Sequence, residues 1–159
     1  MERRAAVIQQ LLDSLHATLP YFDQPEAALN RSYGPGKWTM REILVHLSDT
    51  ETVYLDRLRR LAAEPNPTLM SFDENLWAKN LFYGSRDLGL VRQQYEAARR
   101  SIIEMARKLD EAVYANTGTH SIAGKKVFAK VLAGHPDHNA HHLEQIKAIA
   151  EGRTWKPKA

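Results

Sequence analysis

Residues 125–151 read KKVFAKVLAGHPDHNAHHLEQIKAIAE and have the pattern of one long amphipathic helix. At about 100° per residue, the side chains that share a stripe with His138 are His142, Val131, Gln145 and Ile149. The charged side chains fall on the other side of the same wheel: Lys126, Lys130, Asp137, Glu144 and Lys147. We therefore predict a helix over residues 125–151, capped at Gly152, that turns His138 and His142 toward the protein interior.

Pro136 lies inside this predicted helix and cannot donate the backbone hydrogen bond that would reach Leu132. Val127 and Val131 nevertheless stay in phase with His138 across the proline. We therefore expect a kink at Pro136 and not a full break, with the histidine pair beyond it.

Three more helices are predicted upstream. The first covers residues 2–19, where leucines recur at helical spacing. The second starts from a capping box of Thr39 and Glu42 and runs to about Ala63. The third covers residues 87–109, which are rich in the helix formers alanine, arginine and glutamate.

The connections between these helices carry weaker signals. Residues 21–38 are rich in turn-forming proline and glycine. Ser71 and Glu74 predict a second capping box, which leads into a short helix through residues 77–82. Residues 114–124 predict a loop or a small hairpin. Four substantial helices without convincing alternating strands predict an all-α protein, a four-helix bundle.

The composition of the 159 residues, 43% hydrophobic and 26% charged, is that of one globular domain covering residues 1–159. The apolar runs are too short to cross a membrane and the N-terminus lacks a signal-peptide core, so we expect a cytoplasmic protein with no membrane partner. The net charge of +3 comes from scattered basic pairs interleaved with acids. Because no recognition element accompanies them, we expect no nucleic-acid partner.

The chain contains no cysteine, so a metal ion could be bound only by imidazole, carboxylate or water. His138 and His142 lie one turn apart on one helix face, where both rings can reach one ion. On the second predicted helix, His46 shares the apolar face with Ile43 and Val53 and can supply a third nitrogen. Three neutral imidazoles would leave coordination positions open for water or substrate, as in catalytic metal sites.

The alternative is that these residues are core histidines hydrogen-bonded to backbone or carboxylate groups. We favour a shared ion because several buried imidazoles without partners would each carry a desolvation cost. His141 falls about 60° away on the other shoulder of the stripe, which indicates a surface group or one that orients a ligand. His135 has a suitable angle but precedes Pro136, and neither His16 nor His120 has a motif around it.

Three motifs together resemble the DinB-like superfamily: Lys37-Trp38-Thr39, His46-Leu47-Ser48-Asp49 and the segment HNAHHLEQI at residues 138–146. The resemblance implies an up-down-down-up bundle of the DinB/YfiT type, which often dimerises. It also implies one divalent metal ion at His46, His138 and His142, with zinc first and nickel, iron or manganese as alternatives. Leu132 and Leu143 lie off the main stripe of the last helix, so we expect them at a homodimer interface.

The resemblance further implies a metal-dependent enzyme, a thiol S-transferase or a hydrolase, in which the ion lowers the pKa of a thiol or water. Its partners would be a small-molecule electrophile and a low-molecular-weight thiol. Asp49 and Gln145 are the expected catalytic residues, orienting ligands or the nucleophile, although Asp49 also fits a solvent-exposed helix acid. Three aromatic side chains are expected to wall an apolar pocket near the ion: Trp77, Phe82 and Tyr83.

Two other functions remain open at this point. A non-catalytic metal-binding stress-response bundle would use the ion to pin the second helix against the fourth, in a closed site. A metal-free helical interaction module would leave the three histidines apart.

Overall fold

The computed structural model describes residues 2–156. In this range the α-helices are α1 Glu2–Thr18, α2 Glu26–Leu29, α3 Met40–Ala63, α4 Glu74–Asn80, α5 Leu88–Lys108 and α6 Phe128–Ala150. The strands are β1 Thr68–Leu69, β2 Thr117–His120 and β3 Gly124–Val127. Short 3₁₀ segments occupy Leu19–Asp23, Tyr83–Ser85 and Glu111–Ala115. The four long helices are therefore those predicted from the sequence.

The four long helices α1, α3, α5 and α6 form a bundle with up-down-down-up order. Ser48 of α3 contacts Val91 of α5, and Glu51, further along α3, contacts Arg99, further along α5. The two helices are therefore parallel. His135 of α6 contacts Glu51 of α3, whereas His142, further along α6, contacts the earlier residue His46, so α6 is antiparallel to α3. Parallel packing of α3 and α5 requires the long connection between them, which contains β1 and α4.

Side-chain caps mark the starts of α3 and α4. The Thr39 hydroxyl accepts a hydrogen bond from the Glu42 N–H at 3.2 Å, and the Glu42 carboxylate accepts one from the Thr39 N–H at 2.8 Å, so the first capping box is confirmed. The second capping box is wrong. Asp73, not Ser71, caps α4, with its carboxylate accepting two backbone N–H groups of the first turn at 2.9 Å each. A carboxylate at this place also interacts favourably with the helix dipole.

Helix α6 begins at Phe128, three residues later than expected, because residues 125–127 belong to β3. It continues through Pro136 as one α-helix, so the proline does not break it. At the other end, Gly152 has a positive φ of 68° and donates its N–H to the carbonyl of Ile149 at 3.1 Å. This is the glycine cap that the sequence predicted.

The structure contains a small three-stranded sheet, of which the sequence predicted at most the hairpin. Strand β2 pairs antiparallel with β3 and parallel with β1. The hairpin of β2 and β3 is one of the two structures expected for residues 114–124. Because the strands contain only two to four residues, hydrophobic alternation could not reveal them.

The bundle interior has two apolar clusters with a polar layer between them. On α3, residues 40–47 belong to one cluster and residues 58–61 to the other. The buried polar side chains between them are Ser48, Asp49, Thr50 and Glu51 on α3, Arg99 on α5, and His135, Asn139 and His142 on α6. The predicted metal ligands therefore lie in or beside this polar layer.

Leu132 and Leu143 do not form the surface that we predicted for a homodimer. Their exposed fractions are only 2% and 7%, so both side chains belong to the core of the protomer. They lie off the histidine stripe, but α6 packs against both α1 and α3 and buries more than one face. Among residues 2–156, no helix has the length and apolar character needed to cross a membrane.

Candidate metal centre

The structure brings His46, His138 and His142 together where α3 packs against α6. Each ring offers one nitrogen that lies within 4.8 Å of the nitrogens of the other two. The ring centroids of His46 and His142 are 4.7 Å apart, as are those of His138 and His142. The separation of four residues places two rings on one face of α6, and antiparallel packing of α3 supplies the third.

The surroundings of His46 fit a bound cation. Its side chain is fully buried, and neither ring nitrogen has a hydrogen-bond partner among the described residues. The Trp38 ring covers it at a centroid distance of 4.9 Å. Buried imidazole nitrogens without partners are costly, and coordination to an ion would use one of these two. The three-nitrogen donor set also suits zinc and the other metals that prefer imidazole.

All three rings are held in the neutral form that binds metal. Burial, aided by neighbouring His142 and His138, lowers the pKa of His46 to about 2. Burial and the same His142 lower the pKa of His138 to about 3. Burial lowers the pKa of His142 to about 4, although a hydrogen bond to Gln145 opposes this shift.

Gln145, which the sequence predicted to orient a ligand or the nucleophile, contacts His142. Its amide oxygen is 2.9 Å from Nδ1 of His142, so that Nδ1–H donates and Nε2 keeps its lone pair free. The amide nitrogen of Gln145 points toward the Tyr33 hydroxyl at 3.4 Å and toward His141 at the same distance. His141 itself is exposed, in agreement with its expected place on the shoulder of the helix.

A cleft of about 280 Å³ opens beside His142, one of the three histidines of the cluster. Its lining residues include His142, Gln145, Tyr33, Trp38 and Glu74. The aromatic walls are therefore Tyr33 and Trp38, which differ from the three aromatics expected from the sequence. Of those three, Phe82 is 72% exposed, Tyr83 is fully buried against Asp49, and Trp77 packs on Phe72.

Glu74 is an acidic residue beside the cluster that was not predicted from the sequence. Its carboxylate oxygen Oε2 is 3.9 Å from Nε2 of His46, and its side chain is about half exposed. It stands in the first turn of α4, directly after the Asp73 cap. Because Glu74 lies 28 residues from His46, no short-range spacing in the sequence could connect the two. The sequence had assigned Glu74 only to the capping box that proved wrong.

Asp49, the other expected catalytic residue, is buried and turned to different partners. One carboxylate oxygen accepts a hydrogen bond from the Tyr83 hydroxyl at 2.7 Å. The other accepts hydrogen bonds from Gln94 at 3.2 Å and from Arg86 at 3.4 Å. These contacts tie α3 to α5 and to the connection before it, and none of them involves the three histidines. The alternative of a solvent-exposed acid is wrong, because Asp49 is only 6% exposed.

A buried group of charges around Glu51 lies close to the histidine cluster and was not predicted from the sequence. The guanidinium of Arg99 donates to both carboxylate oxygens of Glu51, with Nε at 3.1 and 3.0 Å, and to the side-chain oxygen of Asn139 at 2.7 Å. His135 contacts Glu51 at 2.9 Å through Nε2. Burial alone would raise the pKa of Glu51, but His135 and Arg99 outweigh it and lower the pKa to about 2. The ion pair joins α3 to α5, and the contacts of Asn139 and His135 join both to α6.

Comparison with known protein sequences gives one consistent picture. The profile of the DinB superfamily matches residues 1–146. A protein of Oceanobacillus iheyensis, named "Putative metal-dependent hydrolase OB0782", is 27% identical over 127 residues, which are 80% of this chain and 73% of that protein. A Bacillus mycoides protein with the same description is 24% identical over 151 residues, 93% of this chain and 84% of the relative.

Comparison with solved structures shows the fold. YfiT from Bacillus subtilis, which has an unusual four-helix bundle topology, superposes with a TM-score of 0.88 at 18% identity over 97% of this chain and 90% of its own. A mycothiol-dependent maleylpyruvate isomerase superposes with a TM-score of 0.72 at 10% identity over 90% of this chain and 60% of its own.

Proposed function

The chain belongs to the DinB superfamily, and from its cluster of His46, His138 and His142 we propose that it is a metal-dependent enzyme acting on a small-molecule electrophile. The nucleophile would be a low-molecular-weight thiol or water. The observation that carries the proposal is the convergence of three imidazoles, one of which, His142, lines an open cleft. A divalent ion held there would lower the pKa of a thiol or water beside it.

We propose zinc as the metal, with nickel, iron or manganese as the alternatives. Zinc accepts three histidine nitrogens and leaves one position for a nucleophile. Two neighbouring residues hold the histidine ligands in a geometry suited to metal binding. Gln145 fixes the tautomer of His142, and Trp38 excludes water from one side of His46.

Glu74 is placed to accept the proton of the nucleophile. Its half-exposed carboxylate lines the same cleft as His142 and lies close to His46. With a thiol, the S–H bond would give its proton to Glu74, sulfur would form a bond to the electrophilic carbon, and the leaving group would depart with its electron pair. Gln145, at 2.9 Å from His142, acts as a positioning residue.

The thiol S-transferase and the hydrolase are both consistent with this site. A neighbour in fold, the maleylpyruvate isomerase, depends on mycothiol, and several relatives in sequence are named for metal-dependent hydrolysis. The non-catalytic stress-response bundle is the second candidate. It predicts a closed site, whereas the cleft at His142 favours an enzyme.

The test uses the full chain, freed of metal and then loaded with zinc. We expect one zinc per chain by elemental analysis, and zinc-dependent turnover of chlorodinitrobenzene with mycothiol, bacillithiol or glutathione, or of ester and amide substrates with water. Mass spectrometry of the products would identify the new thioether or acid. Stoichiometric zinc without turnover of any of these would favour the non-catalytic bundle, and the absence of zinc binding would contradict the metal site.

The role of Glu74 is tested by Glu74→Gln, with Glu64→Gln at the exposed end of α3 as the matched control. We expect the Glu74 variant to keep its zinc and lose about 100-fold in turnover, as is typical for loss of a general base. The control should retain the rate of the unsubstituted chain. Equal rates for both variants would show that Glu74 carries no proton.

A further inference from the structure

A strongly basic cavity of about 500 Å³ is bordered by Tyr54, whose ring also lies near the histidine cluster. Its lining includes four cationic side chains, Arg57 from α3, Lys125 and Lys126 from β3, and Lys130 from α6. No aspartate or glutamate lines it among the described residues. Low-dielectric walls around charges of one sign concentrate the positive potential inside such a cavity.

In this cavity a donor group of His120 lies against a donor group of Arg57. Nδ1 of His120 accepts hydrogen bonds from the N–H groups of Ile122 and Ala123 at 3.2 and 3.1 Å. The neutral ring must then carry its proton on Nε2. That Nε2 lies 3.2 Å from Nη2 of Arg57, which is always a donor, so two N–H groups face each other.

A further donor of Arg57, its Nε–H, lacks a partner. Nε of Arg57 is buried and has no acceptor among the described residues, although its Nη2 donates to the carbonyl of Met70 at 2.7 Å. Burial together with Arg57 and Lys126 lowers the pKa of His120, which is the expected response to a positive surrounding. An oxygen anion in this position would satisfy donors from both side chains.

Another basic groove on the molecule shows that this arrangement is not a general property of its surface. The groove has a volume of about 470 Å³ and is lined by Arg100, Arg107 and Lys108. There, Glu96 pairs with Arg100 at 2.7 Å and Glu104 pairs with Lys108 at 2.6 Å. Two of its three cations are thus neutralised within the protein, whereas the cavity beside Tyr54 has no acid in its lining.

Tyr54 connects the cavity to the metal centre. Its ring stacks on His135 at a centroid distance of 4.1 Å and an interplanar angle of 17°, and it lies 6.1 Å from the ring of His138. Val131 and Gly134, in the α6 turns before His138, also line the cavity. A molecule bound there could contact Tyr54, whose ring lies near the predicted metal ligand His138.

We propose that this cavity binds a small organic anion through a carboxylate or phosphate group, held by Arg57 and His120 and surrounded by the three lysines. The substrate or the thiol of the enzyme would then be an anionic molecule. That last step rests on the proposed function, whereas anion binding itself does not require the metal.

The experiment titrates metal-free full-length protein with inorganic phosphate and, separately, with succinate, by calorimetry at low ionic strength. The two probes distinguish phosphate from carboxylate recognition. The test variant carries Lys125→Gln, Lys126→Gln and Lys130→Gln, and the control carries Arg100→Gln, Arg107→Gln and Lys108→Gln, which removes the same number of charges. A single-stranded oligonucleotide is titrated as a third probe.

We expect one saturable site for at least one small anion. The lysine variant should bind it about tenfold more weakly or worse, and the control should stay within about threefold of the unsubstituted chain. A single Arg57→Gln variant should also lose anion binding, although it removes only one charge. Circular dichroism and zinc stoichiometry of each variant show that the fold and the histidine cluster are intact.

Three results would overturn the proposal: no saturable binding of either small anion, equal weakening in the lysine and control variants, or binding of the oligonucleotide alone. A chain that binds phosphate or succinate but no zinc would contradict the proposed function and leave the anion site standing. A chain that binds zinc and turns over substrate but binds neither small anion would contradict the anion site and leave the proposed function standing.

Discussion

The adjacent histidines His141 and His142 of α6 differ in burial and therefore in their ability to bind a metal ion. His142 is 8% exposed and faces His46 and His138, whereas His141 is exposed and lies edge-on to Trp155 at 4.9 Å. A single step of about 100° along the helix therefore separates a candidate metal ligand from a surface residue.

We predict that His142→Ala abolishes stoichiometric zinc binding, while His141→Ala keeps it. Loss of a direct ligand leaves an incomplete coordination sphere, whereas loss of a neighbouring group typically weakens affinity by roughly 10 to 100-fold. Zinc content would be measured by elemental analysis, with circular dichroism to exclude a collapsed fold. Equal zinc retention by the two variants, with helicity intact, would mean that the wrong histidine was assigned.

At the scale of helices, the pair of Glu51 and Arg99 joins α3 to α5 inside the bundle. Both side chains are essentially excluded from solvent, with exposed fractions of 1% and 0%. A buried pair differs from a surface pair because removal of one partner leaves the other charge without compensation in a region of low dielectric. The chain also contains a surface pair on α5, formed by Glu96 and Arg100 at 2.7 Å.

We predict that Glu51→Gln lowers the free energy of unfolding by about 3 to 5 kcal/mol, and that Glu96→Gln changes it by less than about 0.5 kcal/mol. Both variants neutralise one carboxylate that pairs with an arginine, so burial is the difference under test. Urea unfolding followed by circular dichroism gives both values. A Glu51 variant as stable as the Glu96 variant would show that the buried pair does not hold the helices together.

At the scale of the whole molecule, stability of the metal-free protein should depend on pH. The pKa values of His46, His138 and His142 are lowered from 6.5 to about 2, 3 and 4. Below pH 6.5 the unfolded chain binds protons at these sites and the folded chain does not. The free energy of unfolding should therefore fall as the pH falls from about 6.5 toward 4, by at most about 1.4 kcal/mol per pH unit for each ring.

Urea unfolding of the metal-free protein at pH 7.5, 6.5 and 5.5 measures this slope. His142→Ala removes one of the three titrating rings, so its slope should be shallower than that of the unsubstituted chain. A free energy of unfolding that stays constant between pH 7 and pH 5 would contradict the buried, neutral state of the cluster.

Assembly also belongs to this scale. A homodimer remains a prediction from the family resemblance, and its interface cannot be formed by Leu132 and Leu143, which the protomer buries. Sedimentation velocity at micromolar concentration should give the mass of two chains. Variants of these two leucines would be expected to unfold the protomer, and not merely to dissociate a dimer. A monomeric mass would refute the prediction.

The amino-acid sequence alone was sufficient for the features that depend on neighbours within one or two helical turns. Helical periodicity located the four long helices, and it placed His138 and His142 on one inward face of α6. Thr39 and Glu42 form their capping box because both partners lie within one turn. The local rule fails where two polar residues compete for one cap, which is why Asp73 replaced Ser71 at the start of α4.

Only the tertiary structure decided the features that join distant parts of the chain. Glu74 reaches His46 across 28 residues, and Arg99 pairs with Glu51 across 48, because helix packing brings those positions together. The parallel pairing of β1 with β2 likewise depends on where the bundle places two short segments. Leu132 is buried for the same reason, since contact with several neighbouring helices covers faces that the periodicity of a single helix assigns to solvent.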